Sequence, residues 1–211
     1  MFIPWHFPLH NDSSITGASQ LAEEAFKKSY PGVYNYLFSY KEKLSSRNKS
    51  ETGKRYEWYA LQRCAATYFE EFDKPKIILP DISKRGNFTI DSRGEFYIQN
   101  SAYIIGMADK FLLGILNSNL IAFIYKGISS SYRGGYLRFI NQYLEQIPIK
   151  ESTEKERNEI EDKVNEILIV KKQNPEADTS ELEGEIDRLV YKLYGLSEEE
   201  IEVVENQNLI A

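Results

Sequence analysis

Apolar positions recur along this chain with two different periods, and the change of period divides it. Leu21, Ala22, Ala25 and Phe26 share one face of a helix that Ser19 can cap and that Pro31 and Gly32 stop. Val33, Tyr36, Leu37, Tyr40 and Leu44 follow at helical spacing and predict a second helix, which dissolves into a polar loop at 45–53. Ahead of both, the first dozen residues mix aromatic clusters with two prolines and read as an irregular strap. Arg55–Ala60 opens a further short apolar segment that reaches Cys64.

The period shortens in the middle of the chain. Apolar runs at 76–80, 87–90, 95–99 and 102–105, separated by ArgGlyAsn and SerArgGly, predict short strands joined by turns. Residues 109–125 return to helical spacing, with Phe111, Leu112, Ile115 and Leu116 on one face. A Ser- and Gly-rich loop covers 127–135, a strand is expected at 136–140, and IleProIle at 147–149 closes this region.

The last third carries the strongest local signals. Thr153 and Glu156 form a capping box ahead of the stripe Ile160, Val164, Ile167 and Leu168, and AsnPro at 174–175 ends that helix. Ser180 and Glu183 are expected to cap a second helix with the stripe Leu182, Ile186, Leu189, Val190, Leu193 and Tyr194, and Gly195 suits a left-handed cap. Ser197 and Glu200 cap a third. The expected fold is therefore α+β, a small mostly antiparallel or mixed sheet flanked by helices and followed by a C-terminal helical hairpin. Its apolar stripes must bury against the body or against another polypeptide segment.

Composition changes this picture in one respect. The chain has 211 residues and a net charge of −6, but residues 1–150 carry 19 Lys and Arg against 14 Asp and Glu, a net of +5, and 13 of the 15 tyrosines. Residues 151–211 carry 7 against 18, a net of −11. A basic, tyrosine-rich body can meet a polyanion although the whole chain is acidic. No apolar run is long enough for a membrane-spanning helix, so no membrane partner is expected. A single cysteine fits a reducing, cytoplasmic setting, and with two histidines it is too little for a structural zinc site.

Catalytic signatures are sparse. Ser129, Ser130 and Ser131 lack a GxSxG elbow, and His6 and His10 lie in the strap, where structural hydrogen bonding is the simpler expectation. Cys64 reads as a core residue. Asp81 and Asp91 echo the paired carboxylates of magnesium-dependent nucleases, but Arg93 stands where such sites need a lysine. No phosphate-cradling or dinucleotide glycine motif occurs, nor an AsnProProTyr-type tetrapeptide.

What remains is a set of loop cations. Arg47, Lys49, Lys54 and Arg55 flank the polar loop, Lys84, Arg85 and Arg93 occupy the sheet turns, and Arg133 and Arg138 bracket Gly134–Gly135 beside Tyr132 and Tyr136. Arginine offers two parallel donors that match guanine O6 and N7, and lysines suit phosphate oxygens. These residues, with Tyr132, are the candidate DNA-binding set. No catalytic or metal residue is assigned.

Five phrases in order carry a resemblance: Arg55-Tyr-Glu-Trp58-Tyr-Ala-Leu-Gln-Arg63, Pro75-Lys-Ile-Ile-Leu-Pro80-Asp-Ile-Ser83, Gly94-Glu-Phe-Tyr97, Phe111-Leu-Leu-Gly-Ile-Leu-Asn-Ser118, and Ile186-Asp-Arg-Leu-Val-Tyr-Lys-Leu-Tyr-Gly-Leu-Ser-Glu-Glu-Glu-Ile201. Together they resemble the TaqI-like C-terminal specificity domain of bacterial restriction–modification enzymes of type IIG and type II. The likeness covers roughly residues 30–205. The resemblance implies a target-recognition domain, similar in role to type I specificity subunits. It implies double-stranded DNA as partner, and a methyltransferase or nuclease domain in the same polypeptide. S-adenosylmethionine and magnesium are then expected only in the parent N6-adenine methyltransferase or endonuclease, and no cofactor in this chain. It further implies that residues 1–30 continue from an upstream domain, that 31–150 form the recognition body, and that 151–211 form an acidic helical tail. Trp58, Leu61, Pro75, Ile77 and Leu116 would be core scaffold. Two other readings remain open: a protein-interaction module acting through the tail, and a nuclease using Asp81 and Asp91.

Overall fold

A computed structural model describes residues 3–62, 68–131 and 134–208 of the chain, so Cys64 lies outside the described residues. The backbone contacts form two units, residues 1–70 and 71–211.

The first unit is built on aromatic packing. The strap runs through successive turns and places Phe7 edge-on to Phe26, with ring centroids 5.3 Å apart. Ser19 accepts the Ala22 N–H and starts α1 (Gln20–Ser29), whose Ala22 and Phe26 are buried while Leu21 faces solvent. Pro31 does more than stop this helix. It occupies the first turn of α2 (Pro31–Phe38), where its missing N–H removes no hydrogen bond. The expected second helix is broken at Ser39–Tyr40 and resumes as α3 (Lys41–Ser45). Within α2 it is Tyr34 that fills the core, while Tyr36, and Tyr40 at the break, point outward. Phe26, Tyr34, Tyr56, Trp58 and Tyr59 close the cluster. The Glu57 carboxylate, buried beneath the strap, accepts the backbone N–H groups of His6 and Ser19 and lies 3.0 Å from His6 Nδ1. His6 is thus a structural partner, as the sequence led us to expect. Leu61 is exposed; its backbone N–H donates to Ile3 O, and its carbonyl accepts the Trp5 indole, so its place in the scaffold is made by the main chain.

In the second unit β1 (Lys76–Pro80) is the centre of an antiparallel sheet, with β3 (Thr89–Asp91) on one side and β4 (Ala102–Ile105) on the other. Pro75, just ahead of β1, is exposed rather than core. A second, two-stranded antiparallel sheet pairs β2 (Ile82–Ser83) with β5 (Leu137–Arg138). The strand expected at 95–99 does not form. After β3 the Asp91 carboxylate accepts the N–H groups of Arg93, Glu95 and Phe96, which wraps the chain around that side chain instead of letting it extend. Gly94 packs so closely that a Cβ would lie 2.2 Å from Asp73 O.

The single helix expected over 109–125 is two, α4 (Lys110–Asn117) and α5 (Asn119–Ile128), bent by 65°. Ser118 makes the corner: its extended backbone ends α4, while its hydroxyl donates to Ile115 O and accepts the Ile121 N–H. A short helix, α6 (Asn141–Leu144), follows β5. Among the described residues no single helix is long and apolar enough to cross a membrane.

The tail forms as its caps dictate. The Thr153–Glu156 box starts α7 (Glu154–Gln173), and a reciprocal Ser197–Glu200 pair starts α9 (Glu198–Asn208). The cap of α8 (Ser180–Tyr194) is Thr179, one residue earlier than expected, with its hydroxyl donating to Glu183. The stripes Ile160, Val164, Ile186, Val190 and Val204 join Ile77, Leu79, Ile115, Leu116 and Tyr125 in one cluster. So the tail buries its apolar face against α4 and α5 of its own unit. Gly195 ends α8 at φ 74° with open space around it, so Gly195→Ala should cost about 1–2 kcal/mol of stability through the left-handed backbone alone. A urea titration reads this as a lower midpoint at unchanged slope; an unchanged midpoint would refute it.

Candidate nucleic-acid interface

The β2–β5 ladder brings together two loops that lie about fifty residues apart in sequence. Its register, Ile82 opposite Arg138 and Ser83 opposite Leu137, continues to set Lys84 beside Tyr136, and the Lys84 ammonium lies 6.0 Å from that ring centroid. Ser131 bridges back to Leu137 at the same place. The Ser129 hydroxyl and the Tyr125 phenol both donate to Arg138 O and hold β5 to the end of α5. Tyr132 and Arg133 lie outside the described residues.

Arg138 is held across the ladder by Asp81, its terminal nitrogen 3.2 Å from Oδ1 and 3.4 Å from Oδ2. Asp81 therefore orients an arginine. Asp91 does something different at the other end of β1. It is buried opposite Lys76, whose ammonium donates to it at 2.5 Å. Burial alone would push the Asp91 carboxyl up. The Lys76 ammonium and three backbone N–H groups overcome that and hold it well below the usual carboxylate range. Since Asp91 pairs opposite Lys76 and Asp81 follows Pro80, the two carboxylates are separated by the length of β1, about 17 Å at the usual strand rise. They cannot bind one metal ion.

The remaining candidates divide sharply by what holds them. Lys84 and Arg85 are exposed at the β2–β3 turn, and Arg85 donates to Asn119 Oδ1 at 2.8 Å. Arg93 is exposed beside Asp91, at the far end of β1 from that turn, and pairs with Glu95. In the first unit Lys49 and Lys54 are exposed, and Arg55 lies over the Trp5 ring, 4.7 Å from its centroid, with Glu51 at 3.3 Å. Arg47 is a clamp: its guanidinium donates to the carbonyls of Leu44, Trp58 and Ala60 and ties the polar loop to the aromatic core. The structure thus gathers Lys84, Arg85 and Arg138 at one end of the second unit, with Tyr136, and leaves Arg93 out.

Two residues outside the candidate set belong to this arrangement. Asp81 fixes Arg138, and Asn119 fixes Arg85. Neither role has a local signal, because each depends on a partner 57 or 34 residues away.

The sequence model of the TaqI-like C-terminal specificity domain matches residues 25–149. The type II methyltransferase M.MjaIV of Methanocaldococcus jannaschii is 26% identical over 174 residues, which are 80% of this chain and 57% of that protein. The type II methyltransferase M.PaeR7I of Pseudomonas aeruginosa is 27% identical over 175 residues, 81% of this chain and 28% of that protein. This chain therefore spans little more than half of one curated relative and about a quarter of the other. Among solved structures, the type IIL restriction–modification enzyme MmeI in complex with DNA superposes with a TM-score of 0.54 at 15% identity, over 83% of this chain and 23% of that one. The fold is shared at that level.

Proposed function

Because the chain belongs to the TaqI-like C-terminal specificity domain family, we propose that it recognises a short sequence in double-stranded DNA and positions it for an adenine methyltransferase in the same polypeptide. The convergence of Lys84, Arg85 and Arg138 on the β2–β5 ladder carries the reading within the structure. A strand-paired loop cluster gives the cations a fixed geometry, which sequence readout requires and a diffuse basic surface lacks. S-adenosylmethionine, and magnesium where a nuclease accompanies the methyltransferase, then act in a neighbouring domain.

Both other readings lose their premise. A nuclease needs Asp81 and Asp91 at one ion, and they sit at opposite ends of β1. A tail-based docking module needs free apolar stripes, and those of α7 and α8 are buried in the unit's own core.

Selection from a random duplex pool tests the proposal. A single short motif should be enriched, with affinity that falls steeply as salt rises. Recovery of duplexes without any shared motif would overturn it. Lys84→Ala is expected to weaken binding to all duplexes alike and to reduce the slope of log affinity against log salt by about 1, as loss of one phosphate contact does. An unchanged slope would remove Lys84 from the interface.

A further inference from the structure

The candidate arginines are not equivalent. Arg138 is held by Asp81, Arg55 by Glu51 and Arg93 by Glu95, each a carboxylate that competes with any incoming acceptor. Arg47 is turned inward on three carbonyls. Arg85 alone among the described candidate arginines is held by a neutral amide, through one of its five donors. Its fork is exposed, and it lies within electrostatic reach of Asp187 on α8.

That amide is itself fixed from three sides. Asn119 is the first residue of α5, and its backbone N–H donates to Asp187 Oδ1 of α8 at 2.7 Å. Its Nδ2 faces Glu205 Oε2 of α9 at 3.4 Å, and the Tyr191 hydroxyl of α8 donates to the other oxygen of Glu205. With the amide nitrogen turned to a carboxylate, the amide oxygen is presented to Arg85. The acidic tail thus reaches the β2–β3 turn: its carboxylates orient Asn119, and Asn119 orients Arg85.

We propose that Arg85 reads a guanine through its O6 and N7 in the major groove, and that Asn119, set by Asp187 and Glu205 of the tail helices, is the positioning residue that preorganises it. This rests on the DNA-recognition reading above and names a specificity-determining residue for it. Preorganisation matters because an arginine already confined to one direction loses less freedom on binding than a free one.

The test is selection from the random duplex pool with the full chain and its variants Arg85→Lys, Asn119→Ala and the double variant. Arg85→Lys keeps the charge but loses the parallel fork. The wild type should enrich a motif containing a G·C pair at which Arg85→Lys lowers the preference about tenfold. Asn119→Ala should relax the same position and leave the others intact, and the double variant should be no worse than Arg85→Lys alone. Tyr191→Phe, which removes the hydroxyl that touches Glu205 and the Asn119 side chain, should relax that position to a smaller extent and serves if Asn119→Ala does not fold. The inference is overturned if Arg85→Lys leaves the motif unchanged, or if Asn119→Ala or Tyr191→Phe weakens all duplexes alike. A wild type that enriches no motif would instead overturn the recognition reading, and this inference with it.

Discussion

Lys76→Met is expected to lower the unfolding free energy by about 3–5 kcal/mol, the usual cost of removing one partner of a buried ion pair. Lys76 is fully buried at the first position of β1, directly opposite Asp91 on β3. Its ammonium donates to Asp91 Oδ2 at 2.5 Å and to Phe72 O at 2.6 Å. Without it the carboxylate keeps its backbone donors but loses its counter-charge where water cannot replace it. The Asp91 carboxyl is held below its ordinary value in the folded state, so its contribution is present above the unfolded carboxylate pKa and is lost as pH falls through the depressed folded one. Urea unfolding at neutral pH should show the midpoint shift at unchanged slope, and the wild type should lose stability in acid through this pair. A loss below about 1 kcal/mol would mean that the ion pair does not close the β1–β3 end of the sheet.

The site lies in long-range geometry, and that is why the sequence shows it only in part. The helix starts at Ser19, Thr153 and Ser197 were legible because a cap and its N–H partner are three residues apart. The α+β class and the helical hairpin followed from periodicity. What periodicity missed were changes of direction. Ser118 turns one apolar run into two helices, Ser39–Tyr40 breaks another into α2 and α3, and the Asp91 side chain gathers the chain that reads as a strand at 95–99. In each case a side-chain or turn hydrogen bond beats an otherwise good pattern.

The same limit holds for the interface. Lys84, Arg85 and Arg138 were recognisable as loop cations, but only the β2–β5 pairing makes them one cluster and sets Arg93 apart. Arg47 shows the converse: a loop arginine by sequence, it serves the core because three carbonyls converge on it. The phrases shared with the specificity-domain family mark scaffold, with Trp58, Ile77 and Leu116 buried, and so identify the fold better than the reading residues.

Asp187→Asn should stabilise the protein at pH 8 by up to about 3 kcal/mol and leave it nearly unchanged at pH 4. Burial pushes the Asp187 carboxyl up to about 6, against the Asn119 N–H and Arg85, which lower it, while Glu205 and Glu183 add to the rise. The side chain is 8% exposed, so solvent relieves little of this. The folded-state pKa lies above the unfolded one, so the folded state holds the proton more tightly. Below about pH 4 both states are protonated and no penalty arises. Between about pH 4 and 6 the unfolded chain gives up its proton while the folded wild type keeps it, so stability falls; above about 6 the folded carboxyl ionises as well and the penalty is complete. Asparagine keeps an oxygen for the Asn119 N–H and removes the charge, so the variant's stability should be flatter across this window. Urea midpoints of both proteins from pH 4 to 8 check this, and parallel curves would refute it. An acid that lowers stability at neutral pH, placed where α8 meets the residue that holds Arg85, is what the role proposed for Arg85 would call for and what folding alone would not.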